Sequence, residues 1–196
     1  MHKRLCILFA GNSGAGKDTA ADMVADQAKM GGVQALRMAF ADPIKVIADH
    51  LLGIPLETSY GTQQDKLDYK AYDKSARHWL QWIGTEMARG QIHKDIWVHR
   101  FVERALASDA PLVIGSDVRF RNEMSLMRNM LDGQMDLKII KIVNPRVPVN
   151  MSHQSESEVY NIPGDEFDQV IDNTKGLDDL RAVVNVLADE ALARFS

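Results

Sequence analysis

The chain has 196 residues, 45% of them hydrophobic and 26% charged, with a formal net charge of −4. That length suits one domain with a sizeable core, and no stretch reaches the roughly 18 apolar residues of a membrane span. The slight negative charge gives nucleic acid or an anionic membrane nothing global to bind, so a polyanionic substrate would have to be held by local cations. The single cysteine, Cys6, excludes an internal disulfide and fits a reducing compartment, the cytoplasm, where it reads as a small buried apolar residue.

Met1-His2-Lys3-Arg4 before Leu5-Cys6-Ile7-Leu8-Phe9-Ala10 has the outline of a secretory leader, but a glycine-rich loop and a charged helix follow in place of a cleavage site. The continuous apolar run predicts a strand buried on both faces. Residues 17–30 have helical spacing, with Ala20, Met23, Val24 and Ala28 on one face, and Gly31-Gly32 stops them. A second strand is expected over 33–40. Asp42, as N-cap, and Pro43, at the first helical position, then open a helix that Gly53 and Pro55 end. Residues 55–75 are polar and without period, and read as an irregular surface segment. Helices are expected over 76–89 and 95–108, a strand over 112–115, a helix over 121–131 and a strand over 137–143. A mobile loop rich in Pro, Ser and Asn is expected over 145–165, then a short strand over 168–171 and a last amphipathic helix over 177–194.

Strands alternating with helices predict an α/β fold, a doubly wound, mostly parallel five-stranded sheet with helices on both faces. Ligands bind such sheets beyond the carboxyl ends of the strands, so the residues after Ala10, Phe40, Gly115 and Val143 should converge. Gly11-Asn12-Ser13-Gly14-Ala15-Gly16-Lys17 stands at the first of these ends. Its glycines allow backbone angles that wrap several N–H groups around one anion, the following helix adds its positive dipole end, and Lys17 supplies a full charge for β- and γ-phosphates. Gly14, Ala15, Gly16, Lys17, Asp18 and Thr19 are thus candidate ATP-binding residues. The hydroxyl that usually follows the lysine and touches Mg²⁺ is replaced by Asp18. Either the Asp18 carboxylate or the Thr19 hydroxyl can stand in for it.

Asp117-Val118-Arg119-Phe120-Arg121-Asn122-Glu123 follows the third strand. An acid at the end of a buried strand beside the phosphate loop can hold Mg²⁺ through water or orient an acceptor, and guanidinium forks suit phosphate oxygens. Lys17, Asp117, Arg119 and Arg128 form the candidate catalytic set. A phosphate acceptor needs no base, since a phosphate monoester loses its second proton near about pH 6; Asp117 is therefore read as positioning and electrostatic.

These motifs together resemble the bacteriophage-type deoxynucleoside monophosphate kinases over nearly the full length. The resemblance rests on Gly16-Lys17-Asp18-Thr19, on Ala41-Asp42-Pro43-Ile44-Lys45, and on Arg77-His78-Trp79-Leu80-Gln81-Trp82-Ile83-Gly84-Thr85-Glu86 followed by Trp97. It also includes Asp117-x-Arg119 with Glu123, and His153-x-Ser155-Glu156. It implies transfer of the ATP γ-phosphoryl, with Mg²⁺, to a deoxynucleoside 5′-monophosphate. By position, Asn12, Ser13, Lys45, Arg77, Gln81, Gly84, Thr85 and Trp97, with Asp117, Arg119 and Glu123, would bind the acceptor. Lys45 and Arg77 would meet its phosphate, and Gln81 and Trp97 its base or sugar.

The resemblance further implies one kinase domain over 1–196, with an acceptor-side segment near 55–100 and a lid near 145–165 that closes over the substrates and excludes water. Relatives are often dimeric, so a homodimer is expected, with nucleotides as its small-molecule partners. Read without the resemblance, Trp79, Trp82 and Trp97 are core or dimer-interface aromatics, Gln81 and Lys45 solvated helix residues and His153 a surface residue. The histidines form no zinc pattern. A kinase for another small acceptor, of the phosphomevalonate or dephospho-coenzyme A type, and a P-loop switch ATPase are the alternatives.

Overall fold

The computed structural model describes residues 4–149, 151 and 153–195. Met1, His2 and Lys3 of the leader-like start, Asn150 and Ser152 of the expected lid, and Ser196 lie outside the described residues.

In chain order the elements are β1 (Arg4–Ala10), α1 (Lys17–Met30), β2 (Ala35–Ala39), α2 (Asp42–Leu52), α3 (Leu56–Tyr60), α4 (Gln63–Asp68), β3 (Lys70–Ala71), β4 (Lys74–Ser75) and α5 (Ala76–Trp82). A π-helical run, Ile83–Ile92, continues α5. Then come α6 (Ile96–Ala107), β5 (Leu112–Val118), α7 (Arg121–Leu131), β6 (Met135–Val143), α8 (Gln154–Asn161), a 3₁₀ turn at Gly164–Glu166, β7 (Gln169–Asp172) and α9 (Leu177–Leu192). The chain divides into two units, residues 1–39 with 100–196, and residues 40–99.

The first unit holds a five-stranded sheet in the order β2-β5-β1-β6-β7, every pairing parallel. The chain leaves β1 for the edge strand β2, returns to β5 beside β1 and then crosses to β6 on the other side, so the winding reverses around β1, the place where open α/β sheets bind ligands. Leu5, Ile7 and Phe9 of β1 pack with Leu112, Ile114, Ile140 and Ile142 against Ala20, Ala21 and Val24 of α1 and Leu180, Val184 and Leu187 of α9. The alternate side chains turn to the other face. There Leu8 and Phe101 of α6 close over Gly115, whose Cα leaves no room for more: a Cβ would lie 2.5 Å from Leu8 Cδ2 and 2.6 Å from Phe101 Cζ. α7 buries Met124, Met127 and Leu131.

The second unit has a core of its own, Ala48, Ile54, Ala76 and Ile83, with Ile44, Ile47, Trp79, Leu80 and Met87 packed around it. Residues 55–75, expected to be irregular, fold as α3, α4 and the two-stranded β3–β4 hairpin. Thr62 starts α4 by a capping box: its hydroxyl accepts from the Asp65 N–H and the Asp65 carboxylate accepts from the Thr62 N–H at 2.7 Å. Trp79 Nε1 donates to the Ala71 carbonyl at 2.7 Å and ties the hairpin to α5. Asp42, expected as N-cap, is the first helical residue of α2, and Ala41 is the cap. The expected mobile loop 145–165 contains α8 and the first two residues of the 3₁₀ turn.

Candidate active site

Gly11, Gly14 and Gly16 adopt φ of 140°, 78° and 106°, a region that side chains resist, which lets the loop after β1 turn tightly. A Cβ on Gly11 would lie 2.3 Å from the Ile142 carbonyl oxygen, so the loop can lie against β6 only with glycine there. Asn173, just beyond β7, donates from Nδ2 to the Ala15 carbonyl at 2.9 Å and braces the loop from the side. Lys17 opens α1 with its side chain only 3% exposed. Its Nζ donates to the Asn12 carbonyl at 2.9 Å and stands 4.0 Å from Asp117 Oδ1. Burial, then the neighbouring Arg119, push its pKa down to about 8, while Asp117, Asp18 and Glu156 pull the other way.

Asp117 is the last residue but one of β5, with φ 73°, where the β1–β5 register shifts between Leu8 and Ala10. Its carboxylate is 3.7 Å from the Arg119 guanidinium. Arg119 also pairs with Glu156 from α8. Glu156 in turn accepts from the Ser13 N–H at 2.9 Å and from Asn12 Nδ2 at 3.1 Å, while its main-chain carbonyl accepts from the same amide group at 2.8 Å. Burial alone would raise the Glu156 pKa; Arg119 and the donors from Ser13 and Asn12 outweigh it and hold the carboxyl below its ordinary value.

Asp18 stands on the outer side of the loop. Its Oδ1 accepts from Ser116 Oγ at 2.7 Å and from Arg37 Nη2 at 3.0 Å. In the usual form of this motif a hydroxyl follows the lysine; here Asp18 follows it and meets the Ser116 hydroxyl of β5. Arg37 reaches from β2 to join them, with Nε on Asp22 at 3.0 Å and Nη1 on Ser116 at 3.2 Å. Thr19 is exposed one residue on.

Sequence reasoning thus brought together Asn12, Ser13, Lys17, Asp18, Asp117 and Arg119. Glu123 takes a different place: its carboxylate, 2% exposed, accepts from the N–H groups of Arg119 and Phe120 at 2.8 and 3.1 Å, so it fixes the turn that aims Arg119. Arg128 does not join the cluster. It pairs with Asp168 at 3.1 Å, about 10 Å along α7 from Arg121 at 1.5 Å of rise per residue. Arg37, Ser116, Glu156 and Asn173 were missed. The signals were an arginine inside an apolar strand, a hydroxyl in a buried strand end, the acid of His153-x-Ser155-Glu156, and a polar residue closing the last strand.

In the second unit, Lys45 Nζ sits 3.9 Å from Asp42 Oδ1 and 3.7 Å over the Tyr60 ring, and the Tyr60 hydroxyl donates to the same Asp42 oxygen at 3.0 Å. Arg77 donates to Gln63 Oε1 at 2.8 Å. Gly84 and Thr85 lie in the π-helical run, a rare conformation enriched at functional sites. A Cβ on Gly84 would lie 2.9 Å from Ile44 Cδ1, so glycine lets this run approach α2. Trp97, 6% exposed, donates from Nε1 to the Gly84 carbonyl at 2.8 Å and so backs Gly84 and Thr85. Gln81 lies half-buried on α5.

A model of the deoxynucleotide monophosphate kinase family matches residues 56–184, well over half of the chain. The chain belongs to this family. Among curated proteins it is similar to the deoxynucleoside-5′-monophosphate kinase of Escherichia phage T5, 34% identical over 88 residues, which are 43% of this chain and 35% of the phage protein. The match therefore spans about a third of that relative. Among solved structures, the APS kinase of Mycobacterium tuberculosis is similar in fold, with a TM-score of 0.53 at 15% identity, covering 98% of each chain. The shikimate kinase of Acinetobacter baumannii aligns with a TM-score of 0.50 at 13% identity, over 98% of this chain and 95% of that one. Both likenesses bear on the fold, a P-loop kinase sheet with helices on both faces. Among the described residues no helix is long and apolar enough to cross a membrane.

Proposed function

We propose that this chain transfers the γ-phosphoryl group of ATP to a deoxynucleoside 5′-monophosphate, giving the diphosphate and ADP. The observation that carries the reading is the buried Lys17 ammonium, set inside a loop of positive-φ glycines and faced by Asp117 and Arg119. A buried cation is costly, and its contacts with the Asn12 carbonyl and Asp117 leave an ammonium that a polyphosphate would stabilise further. Membership of the deoxynucleotide monophosphate kinase family supports the acceptor class.

In this reading the loop amides, the start of α1 and Lys17 hold the β- and γ-phosphates of ATP, and Arg119 spreads the charge that builds on the transferring group. Asp117 orients Lys17 and Arg119 and takes no proton, because the acceptor phosphate is already nucleophilic above about pH 6. Lys45, Arg77, Gln81, Gly84 and Thr85 take the acceptor, Trp97 backs the π-helical run that presents two of them, and residues 145–165 form a lid that excludes water. The donor set fits Mg²⁺. That ion is held by one or two carboxylates plus substrate phosphates, and the exposed Asp18 carboxylate takes Ser116 and Arg37 on Oδ1, which leaves Oδ2 without a partner among the described residues. Asp18, with Thr19 beside it, would hold the ion through water, and Mg²⁺ when bound neutralises phosphate charge. We also propose a homodimer working in the cytoplasm, without nucleic acid.

The test is ADP release from ATP and Mg²⁺ against dAMP, dGMP, dCMP, dTMP and their ribose counterparts. Stimulation by at least one deoxynucleotide is expected, and Lys17→Ala should lower it by on the order of 10³ while the variant stays folded. ATP binding without stimulation by any of the panel would move the assignment to another small acceptor.

A further inference from the structure

Glu156 stands where an anion belongs. Its carboxylate is 4% exposed, and the donors around it are a phosphate-loop N–H, the Asn12 side-chain amide and the Arg119 guanidinium. Such a convergence of amide and guanidinium donors is what binds phosphate oxygens elsewhere. The carboxylate arrives from the first turn of α8, so the same contacts hold that turn against the loop. The other end of α8 is held independently. Lys141, buried in β6, donates to the Ile162 carbonyl at 2.6 Å and the Tyr160 carbonyl at 3.2 Å, where a cation satisfies the free carbonyls of a helix end.

We propose that Glu156 is an internal stand-in for a substrate phosphate: it fills the Ser13–Asn12–Arg119 cradle in the free protein and gives way when a phosphate oxyanion enters. While Glu156 is in place, Arg119 is paired with it and is withheld from the donor nucleotide. When a phosphate takes the Asn12 and Ser13 donors, Glu156 leaves, Arg119 turns to the phosphates, and the first turn of α8 lifts while Lys141 keeps its far end anchored. Arg119 then becomes available only when the cradle is occupied, which sets the preference for a phosphorylated acceptor over water. Glu156 is thus a positioning residue that acts through Arg119. The inference rests on the kinase reading only for the identity of the acceptor; the displacement itself needs nothing more than an oxyanion.

The experiment compares the full-length chain with Glu156→Gln, which keeps the size of the side chain and removes its charge. With ADP occupying the loop, inorganic phosphate should bind Glu156→Gln about tenfold more tightly, the equivalent of one charge-assisted hydrogen bond no longer in competition. ATP hydrolysis without acceptor should rise severalfold and the acceptor KM should fall, with kcat changed less. Equal or weaker phosphate binding by a folded Glu156→Gln overturns the proposal. A second measurement needs no variant: in the wild-type chain with ADP, inorganic phosphate should speed amide exchange in residues 153–158 while 159–162 stay protected. Unchanged or slower exchange at 153–158 with phosphate bound overturns it equally. Repeating the exchange with a deoxynucleotide plus ADP, and with a non-hydrolysable ATP analogue alone, separates the two sources: displacement by the deoxynucleotide supports the proposal, and displacement by the ATP analogue alone overturns the withholding of Arg119. If phosphate displaces Glu156 but no deoxynucleotide stimulates ADP release, the acceptor assignment fails and the displacement stands.

Discussion

Lys17 is the residue whose chemistry the surroundings alter most usefully. Its pKa is pushed to about 8 from 10.5, so between those values the unfolded chain binds a proton that the folded chain does not. Stability therefore rises with pH across that window, because the folded state no longer has to bury a charge. Phosphate binding runs the other way. An oxyanion stabilises the ammonium, so binding above about pH 8 takes up a proton, and ATP affinity should fall by up to about tenfold per pH unit there. Calorimetry in two buffers of different ionisation enthalpy reads that uptake directly. Lys17→Met, which keeps the buried stem, should abolish both the proton uptake and the rise in stability. Proton uptake that survives in Lys17→Met would place the titrating group elsewhere.

Among the elements, those with a long period were legible and the short ones were not. Residues 17–30 and 121–131 show three turns or more of apolar spacing, and α1 and α7 begin and end within a residue of those ranges. α3 and α4 have five and six residues, too few for a period to declare itself, and Thr62-x-x-Asp65 was the one readable sign of them. α8 was hidden in the same way by its single turn and a half of apolar residues. The π-helical run was not legible because its side chains resemble those of the α-helix it continues. At the site, Lys17, Asp117 and Arg119 followed from strand ends alone, whereas Arg128 depended on where α7 points a side chain, which no spacing gives. β5 carries the element-level prediction. Gly115→Ala would drive a methyl group into Leu8 and Phe101, both buried, and should destabilise the fold by about 1–3 kcal/mol. Urea denaturation should show a lower midpoint with an unchanged slope.

For the molecule as a whole, the unequal cores matter. The first unit spreads its apolar burial over a sheet covered on both faces, whereas the second gathers around four fully buried residues of modest size. Local opening is cheapest where few apolar contacts are lost. Amide exchange should therefore be slowest in β1, β5 and β6 and markedly faster through residues 40–99. A bound deoxynucleotide should slow exchange most in residues 76–92, since a ligand stabilises the elements that hold it. Slowing confined to the first unit would place the acceptor away from Arg77, Gly84 and Thr85.

Asp117 holds a left-handed backbone that glycine adopts freely and that costs other residues about 1 kcal/mol or more. Asp117→Gly should relax that backbone but leave Lys17 and Arg119 without the carboxylate beside them, so it should melt no higher than the parent chain and turn over far more slowly, which a thermal melt and the ADP-release assay read side by side. The carboxylate at this position answers to the two cations beside it rather than to the turn that carries it.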